Sequence, residues 1–299
     1  MKPSALTYHR PTSLDAALAL LADLGPDAKV LAGGQSLVPL LSMRLAAPAH
    51  VVDIGALPDL AGITVGADGV RVGALARQSQ LERHEGAAAA QPLLREAVRH
   101  VAHPTIRNRG TTIGSLVHAD PSGELPAVLT LLGGSVYVVS TRGPRTIPAG
   151  LLFVGPLECS LAPDELAVGA LFPRSGPRTG TALVEIARRN GDYAVVGVVA
   201  SVTLDRLGAP VRAAATYVTA GRTGAVVDLT AHLTDDLGVE PVADWAARAA
   251  TAAAGLVETE GDVHASAAYR THLVDVLTGR ALGAAAERAR AALGRRVPA

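Results

Sequence analysis

The run Ala32-Gly33-Gly34-Gln35-Ser36-Leu37 constrains this chain more than any other stretch. It follows a predicted strand at Lys29 to Leu31 and opens into the apolar run Leu37 to Leu45. Two adjacent glycines let backbone N–H groups close on an anion, and a helix starting just after them aims its partial positive charge at the same point. Strand, glycine turn and helix in that order make a phosphate cradle. A second candidate lies at Arg107-Asn108-Arg109-Gly110-Thr111-Thr112-Ile113-Gly114-Ser115, with His118-Ala119-Asp120-Pro121 close behind it. Two such loops, far apart in sequence, predict a diphosphate ligand held between two lobes.

Composition removes several function classes. Lys plus Arg equals Asp plus Glu at 27 each, so no global basic field recommends nucleic acid or an anionic membrane as a partner. Cys159 is the only cysteine. The chain therefore cannot close an internal disulfide, hold an iron–sulfur cluster with its own thiolates or build a four-thiolate zinc site. Arg10 and Asp15 interrupt any signal-like pattern at the start, and the longest apolar run, Ala194 to Ala200, is far too short to cross a bilayer. The expectation is a cytoplasmic protein with no membrane insertion.

Length suits two or three packed units. Thr12-Ser13-Leu14-Asp15 is a helix start, Leu14, Leu18 and Leu21 repeat at helical spacing, and Gly25-Pro26 stops the helix. With the strands at Lys29 and at Val51 to Ile54, this makes a first lobe over residues 1–55. A second lobe, residues 56–174, opens with a hairpin of Gly62 to Val65 and Gly69 to Gly73 turning at Asp68-Gly69. Helices are predicted over Gln91 to His100 and Glu124 to Leu132, the latter ended by Gly133-Gly134 before a strand at Ser135 to Ser140. Pro173 to Thr181 reads as a linker. In the third unit, residues 182–299, a meander of Ala182 to Ala187, Ala194 to Leu204, Val211 to Thr219 and Ala225 to Leu229 precedes helices at Val242 to Leu256, Ser266 to Thr278 and Ala284 to Leu293. The last five residues are expected to fray.

Five segments in order resemble one family: Ala32 to Leu37; Ile106-Arg107-Asn108-Arg109-Gly110-Thr111; His118-Ala119-Asp120-Pro121 with Glu124-Leu125-Pro126; Arg189-Asn190-Gly191-Asp192-Tyr193-Ala194; and Tyr269-Arg270 with Arg280-Ala281-Leu282. They resemble the FAD-binding medium subunit of the molybdenum hydroxylases, of the carbon monoxide dehydrogenase and xanthine dehydrogenase type. The resemblance implies an α+β fold: a two-lobed FAD-binding domain of the vanillyl-alcohol oxidase (PCMH) type, then a C-terminal domain of antiparallel sheet plus helices. It implies that Ala32, Gly33, Gly34, Gln35, Ser36 and Leu37 contact the FAD diphosphate from one side, and Thr111, Gly114 and Ser115 from the other. By the same resemblance Asp120 accepts hydrogen bonds from cofactor hydroxyls and Tyr193 sits near the isoalloxazine. One departure stands out. Ile113 occupies the position of the family's first loop glycine, and if that position needs φ > 0 or close approach, a β-branched residue costs about 1–2 kcal/mol or blocks the ligand. Alternatively the loop shifts by one residue and Thr112 to Ser115 form the cradle.

The family role is electron transfer: a large molybdenum-cofactor subunit oxidises substrate, a small subunit carries [2Fe–2S] clusters, and the FAD subunit passes electrons to NAD, oxygen or a quinone. The chain shows no Ser-His-Asp or Cys-His constellation of recognisable spacing, which suits a protein that positions a cofactor. Two other readings stay open: a stand-alone flavin oxidase or dehydrogenase, and a scaffold that has lost FAD. More ordinary roles also compete at single residues. Arg107 and Arg109 serve either phosphate or local carbonyls, His118 with Asp120 lacks a third metal ligand, Tyr193 could simply pack at a domain boundary, and Cys159 is expected to be a buried, inert thiol.

Overall fold

The computed structural model describes residues 2–233 and 241–294. Its first sheet has three parallel strands, with His50–Asp53 between Thr7–His9 and Ala28–Leu31. Parallel pairing requires a crossover after each strand, and the helix Leu14–Leu24 supplies the first of them. Ser13 caps that helix, its hydroxyl accepting from Ala16 N at 3.2 Å, and Ala17, Leu18 and Leu21 form its buried stripe. The second crossover carries the glycine run and the helix Leu37–Met43. The run therefore emerges at the carboxyl end of a parallel strand, where α/β sheets place their ligands.

The second sheet is antiparallel throughout, in the order Ile63–Val65, Gly69–Gly73, Leu166–Pro173, Ser135–Ser140, Gly143–Pro148. Its first two strands are the predicted hairpin, paired Val65 to Val70. Ala17, Leu21 and Val52 of the first lobe join Val70, Leu93, Leu129 and Phe172 of the second in one continuous core.

The third sheet is a meander of Thr179–Ala187, Ala194–Leu204, Pro210–Val218 and Val227–Asp228. It is covered on both faces. Val198, Ala200 and Val202 pack with Trp245, Leu277 and Ala285 of the helices Val242–Leu256 and Ala267–Gly294, whereas Leu183, Val199 and Val218 join the N-terminal core. Thr216 Oγ1 donates to Ala127 O at 2.9 Å across that second contact. The alanine bias has a packing reason: Ala246, Ala249, Ala253, Ala281, Ala285 and Ala289 are at most 2% exposed and let the helices lie close to the sheet and to each other.

Several boundaries differ from the sequence reading. The two C-terminal helices are one, Ala267–Gly294, running through Gly279 and Gly283. A glycine in a helix interior costs about 1 kcal/mol, but Leu277, Ala281, Leu282 and Ala285 stay in register on the sheet and their burial offsets it. The expected linker shrinks to residues 174–178, because Thr179 to Thr181 already pair with Thr203 to Ser201. The second glycine segment is not an open loop. It comprises the end of helix Pro104–Arg107, a tight turn and most of helix Thr112–His118. The structure adds short helices at Gln78–Arg83 and Glu85–Ala90. Cys159 is half-buried at the edge of the core rather than fully enclosed. The expected fraying of residues 295–299 lies outside the described residues.

Candidate cofactor site

The two glycine segments meet backbone to backbone. A Cβ built on Gly33 would lie 2.6 Å from Arg109 O, 2.9 Å from Gly110 Cα and 3.0 Å from Thr111 N, so only glycine permits this approach. Gly34 sits at φ +73°, which turns the chain into the following helix. Gln35 Nε2 donates to Gly33 O at 3.1 Å and braces the turn. The helix ladder begins with Val38 N to Gly34 O and Leu40 N to Ser36 O. Among the described residues, the N–H groups of Gly33, Gly34, Gln35 and Ser36 have no carbonyl partner, and the Ser36 hydroxyl makes no cap bond. A row of free donors bent around a left-handed residue is an anion nest.

From the other side, Thr111 caps the helix Thr112–His118, its Oγ1 accepting from Gly114 N at 3.1 Å. The Thr111 side chain is thus committed to the cap. Ser115 is half-exposed. Thr112 Oγ1 is buried without a partner. Ile113 is 2% exposed, belongs to the core and lies in the helix, not in the left-handed region. The concern that this position needs φ > 0 does not apply to this backbone. Arg107 is structural: its guanidinium bonds Glu82 Oε2 at 3.0 Å and the carbonyls of Val101 and Ala102.

Beyond the cap the chain turns at Ala119 (φ +54°) into Asp120. Asp120 Oδ1 accepts from Ser122 N at 2.8 Å, which holds this half-buried carboxylate beside the cradle's helix. Ser122 and Tyr193 line a cavity of about 170 Å³ with Arg188, Thr219, His264 and Arg270. Tyr193 is 67% exposed. Its phenol is nevertheless held above its usual range, first by loss of water around it and then by the charges of Asp120, Glu124 and Asp192. The far wall is tied together by Arg270. Arg270 is 4% exposed and donates to Val195 O, Thr219 O and Asp262 Oδ2 at 3.1, 3.0 and 2.6 Å. Arg270 Nε and Thr219 Oγ1 remain without partners. Sequence reasoning flagged Arg270 only through resemblance. Nothing local joins it to residues 195, 219 and 262.

Glu124, at the start of helix Glu124–Leu131, is 7% exposed. Loss of water pushes its carboxyl up to about 8, with Glu185 and Asp120 adding to the rise and its own N–H and His100 opposing it. Native Glu124 thus keeps its proton between the usual carboxylate range and pH 8, while the unfolded chain releases it. The contribution is full at low pH, is lost as pH rises through that window and stays lost above it. With each unit worth about 1.4 kcal/mol, the loss amounts to a few kcal/mol. Glu124→Gln is expected to melt above the native protein at about pH 9 and to flatten the pH dependence of melting, measured by differential scanning calorimetry.

Comparison with known proteins decides the family. Residues 4–175 match the family of the FAD binding domain in molybdopterin dehydrogenase, and residues 181–285 match the CO dehydrogenase flavoprotein C-terminal domain. The chain belongs to the FAD-binding medium subunits of the molybdenum hydroxylases. It is 41% identical to the 6-hydroxypseudooxynicotine dehydrogenase complex subunit alpha of Paenarthrobacter nicotinovorans, over 97% of each chain. Identity to the carbon monoxide dehydrogenase medium chain of Hydrogenophaga pseudoflava is 34%, over 95% of this chain and 98% of that one. In quinoline 2-oxidoreductase from Pseudomonas putida 86, one chain superposes with a TM-score of 0.89 at 32% identity, covering 98% of this chain and 100% of its own length. This flavoprotein subunit of an oxidoreductase thus carries the FAD-binding domain expected of it, and its free N–H row and the glycine contact at Gly33 suit a diphosphate. Among the described residues no helix is long and apolar enough to cross a membrane.

Proposed function

We propose that this chain binds FAD between its two N-terminal lobes and passes electrons from a partner's [2Fe–2S] clusters to an external acceptor, as one subunit of a cytoplasmic molybdenum hydroxylase complex. The observation that carries this reading is the meeting of two sequence-distant segments at Gly33, with free N–H donors on one of them and a helix start on the other. The N–H groups of residues 32–37 bind the diphosphate, and Ser115 with the helix end at Thr111 to Gly114 faces it. Asp120 takes hydrogen bonds from the polyol. Tyr193, exposed at the cavity mouth, covers the ring and limits water. FAD supplies the redox chemistry when bound. The chain's single cysteine leaves iron–sulfur ligation to another polypeptide, and the large molybdenum subunit selects the substrate.

The purified protein is expected to show a flavin absorption spectrum and to release about one FAD per chain, the stoichiometry of a single cradle. Co-expression with candidate large and small subunits should recover a three-part complex. A colourless protein that takes up no added FAD would overturn the reading.

A further inference from the structure

We propose that Arg77, which lies outside both glycine segments, supplies positive charge that balances the ligand's diphosphate, on the reading above that the cradle binds FAD. A diphosphate diester carries two negative charges. Backbone N–H groups offer it dipoles but no formal charge, so a cation held beside them adds what they lack.

Residues 76–78 form the back of the cradle. Arg77 bridges Thr111 in antiparallel register, Gln78 N donates to Gly110 O at 2.9 Å, and Thr112 N donates to Ala76 O at 3.4 Å. The turn at residues 109–111 is therefore clamped between two neighbours. On one side a Cβ built on Gly33 would meet Arg109 O at 2.6 Å, and on the other a Cβ built on Gly110 would meet Gln78 Oε1 at 2.6 Å.

The Arg77 side chain lies across this stack. Its Nη1 donates to Arg109 O, the same oxygen that Gly33 abuts, so a single carbonyl oxygen stands between the guanidinium and the first cradle glycine. The backbone of Arg77 is fixed as well. Arg77 N donates to Gln80 Oε1 at 2.8 Å, which sets where its side chain leaves the chain at the start of helix Gln78–Arg83.

The charge of Arg77 is not neutralised by a neighbour. Among the described residues its guanidinium bonds only that carbonyl, and no carboxylate lies within ion-pair distance of it. The acidic residues that follow it have other partners: Glu82 bonds Arg107 at 3.0 Å and Glu85 pairs with Arg95 at 2.9 Å. Arg107, the cation inside the second segment, is occupied by Glu82 and two carbonyls and is 7% exposed. Arg77 is half-buried and keeps N–H donors to spare, since a guanidinium has five. A charge one atom removed from Gly33 acts well inside the screening length of about 8 Å at physiological salt.

The test is binding of FAD and of ADP to the full chain, freed of any flavin, by calorimetry at about 0.02 M and about 0.5 M salt. Arg77→Gln removes the charge yet keeps an N–H donor for Arg109 O, so the clamp is preserved, and Arg77→Lys keeps the charge. Arg206→Gln makes the same change of net charge on the turn after strand Ala194–Leu204. Arg77→Gln is expected to bind both ligands about tenfold or more weakly at low salt, the scale of one charged partner, and the gap should narrow at high salt. Arg77→Lys should recover most of the low-salt affinity, and Arg206→Gln should bind as the native protein does. Native affinity in Arg77→Gln, or a deficit equal at both salt concentrations, would overturn the assignment. ADP binding that depends on Arg77 in a chain that takes up no FAD would sink the flavin reading alone. FAD bound equally well by native and Arg77→Gln protein would sink the charge assignment alone, and binding of neither ligand would sink both.

Discussion

Gly33→Val is expected to purify with at least about tenfold less flavin than the native protein, a loss of about 1.4 kcal/mol or more in binding. The cause is local and steric. The added Cβ would be 2.6 Å from Arg109 O, 2.9 Å from Gly110 Cα and 3.0 Å from Thr111 N, all backbone atoms that cannot rotate aside. The two segments must part, and the donors on each side of the proposed diphosphate site then no longer face one ligand. Overpacking of this kind also destabilises by about 1–3 kcal/mol, so a lowered melting temperature should accompany the loss. Gly150→Ala is the control, since no heavy atom lies within 4 Å of its new Cβ. The ratio of flavin to protein absorbance decides the matter. A Gly33→Val protein that keeps one FAD per chain would mean that the contact between the segments does not build the cradle.

Arg270→Met should lower stability by about 3 kcal/mol, the scale of two buried hydrogen bonds from a charged donor. Methionine keeps most of the volume and removes the donors to Val195 O and Thr219 O. One carbonyl belongs to the strand that leads out of the Tyr193 turn, and the other to the left-handed residue Thr219 (φ +60°). Asp262 is held down at about 2 mainly by the N–H groups of His264 and Ala265, and its half-exposed side chain remains in water after the change, so the loss is assigned to the carbonyls. For a chain of this size the melting temperature should fall by about 6–10 °C. The cavity wall should loosen with it, seen as faster amide exchange at Tyr193 and Thr219. A native melting temperature would show that solvent replaces the guanidinium without cost.

Local chemistry made much of the fold readable. The cap at Ser13, the hairpin turn at Asp68-Gly69, the strand Ala194–Leu204 and the helix Val242–Leu256 each carry their signal within a few residues: a hydroxyl at a helix start, a glycine at a turn, a β-branched run or a periodic apolar stripe. The fused helix Ala267–Gly294 failed that test, because Gly279 and Gly283 are local breakers overruled by a sheet packed alongside. Ile113 misled for the opposite reason. A family pattern suggested a loop, whereas the buried face of a helix decided what the residue does.

The sequence alone determined that a glycine pair stands between a strand and an apolar run, that the chain has too few thiolates to hold an iron–sulfur cluster by itself, and which family it resembles; these depend on residue types and short spacings. Tertiary structure alone decided that Gly33 touches Gly110, that Arg270 joins residues 195, 219 and 262, that His100 pairs with Glu185 and that Glu124 is buried. The reason is that desolvation and close contact arise between elements brought together across long stretches of chain. A carboxylate in a helix start reads the same whether water or another carboxylate will face it, and only the packed domains settle which.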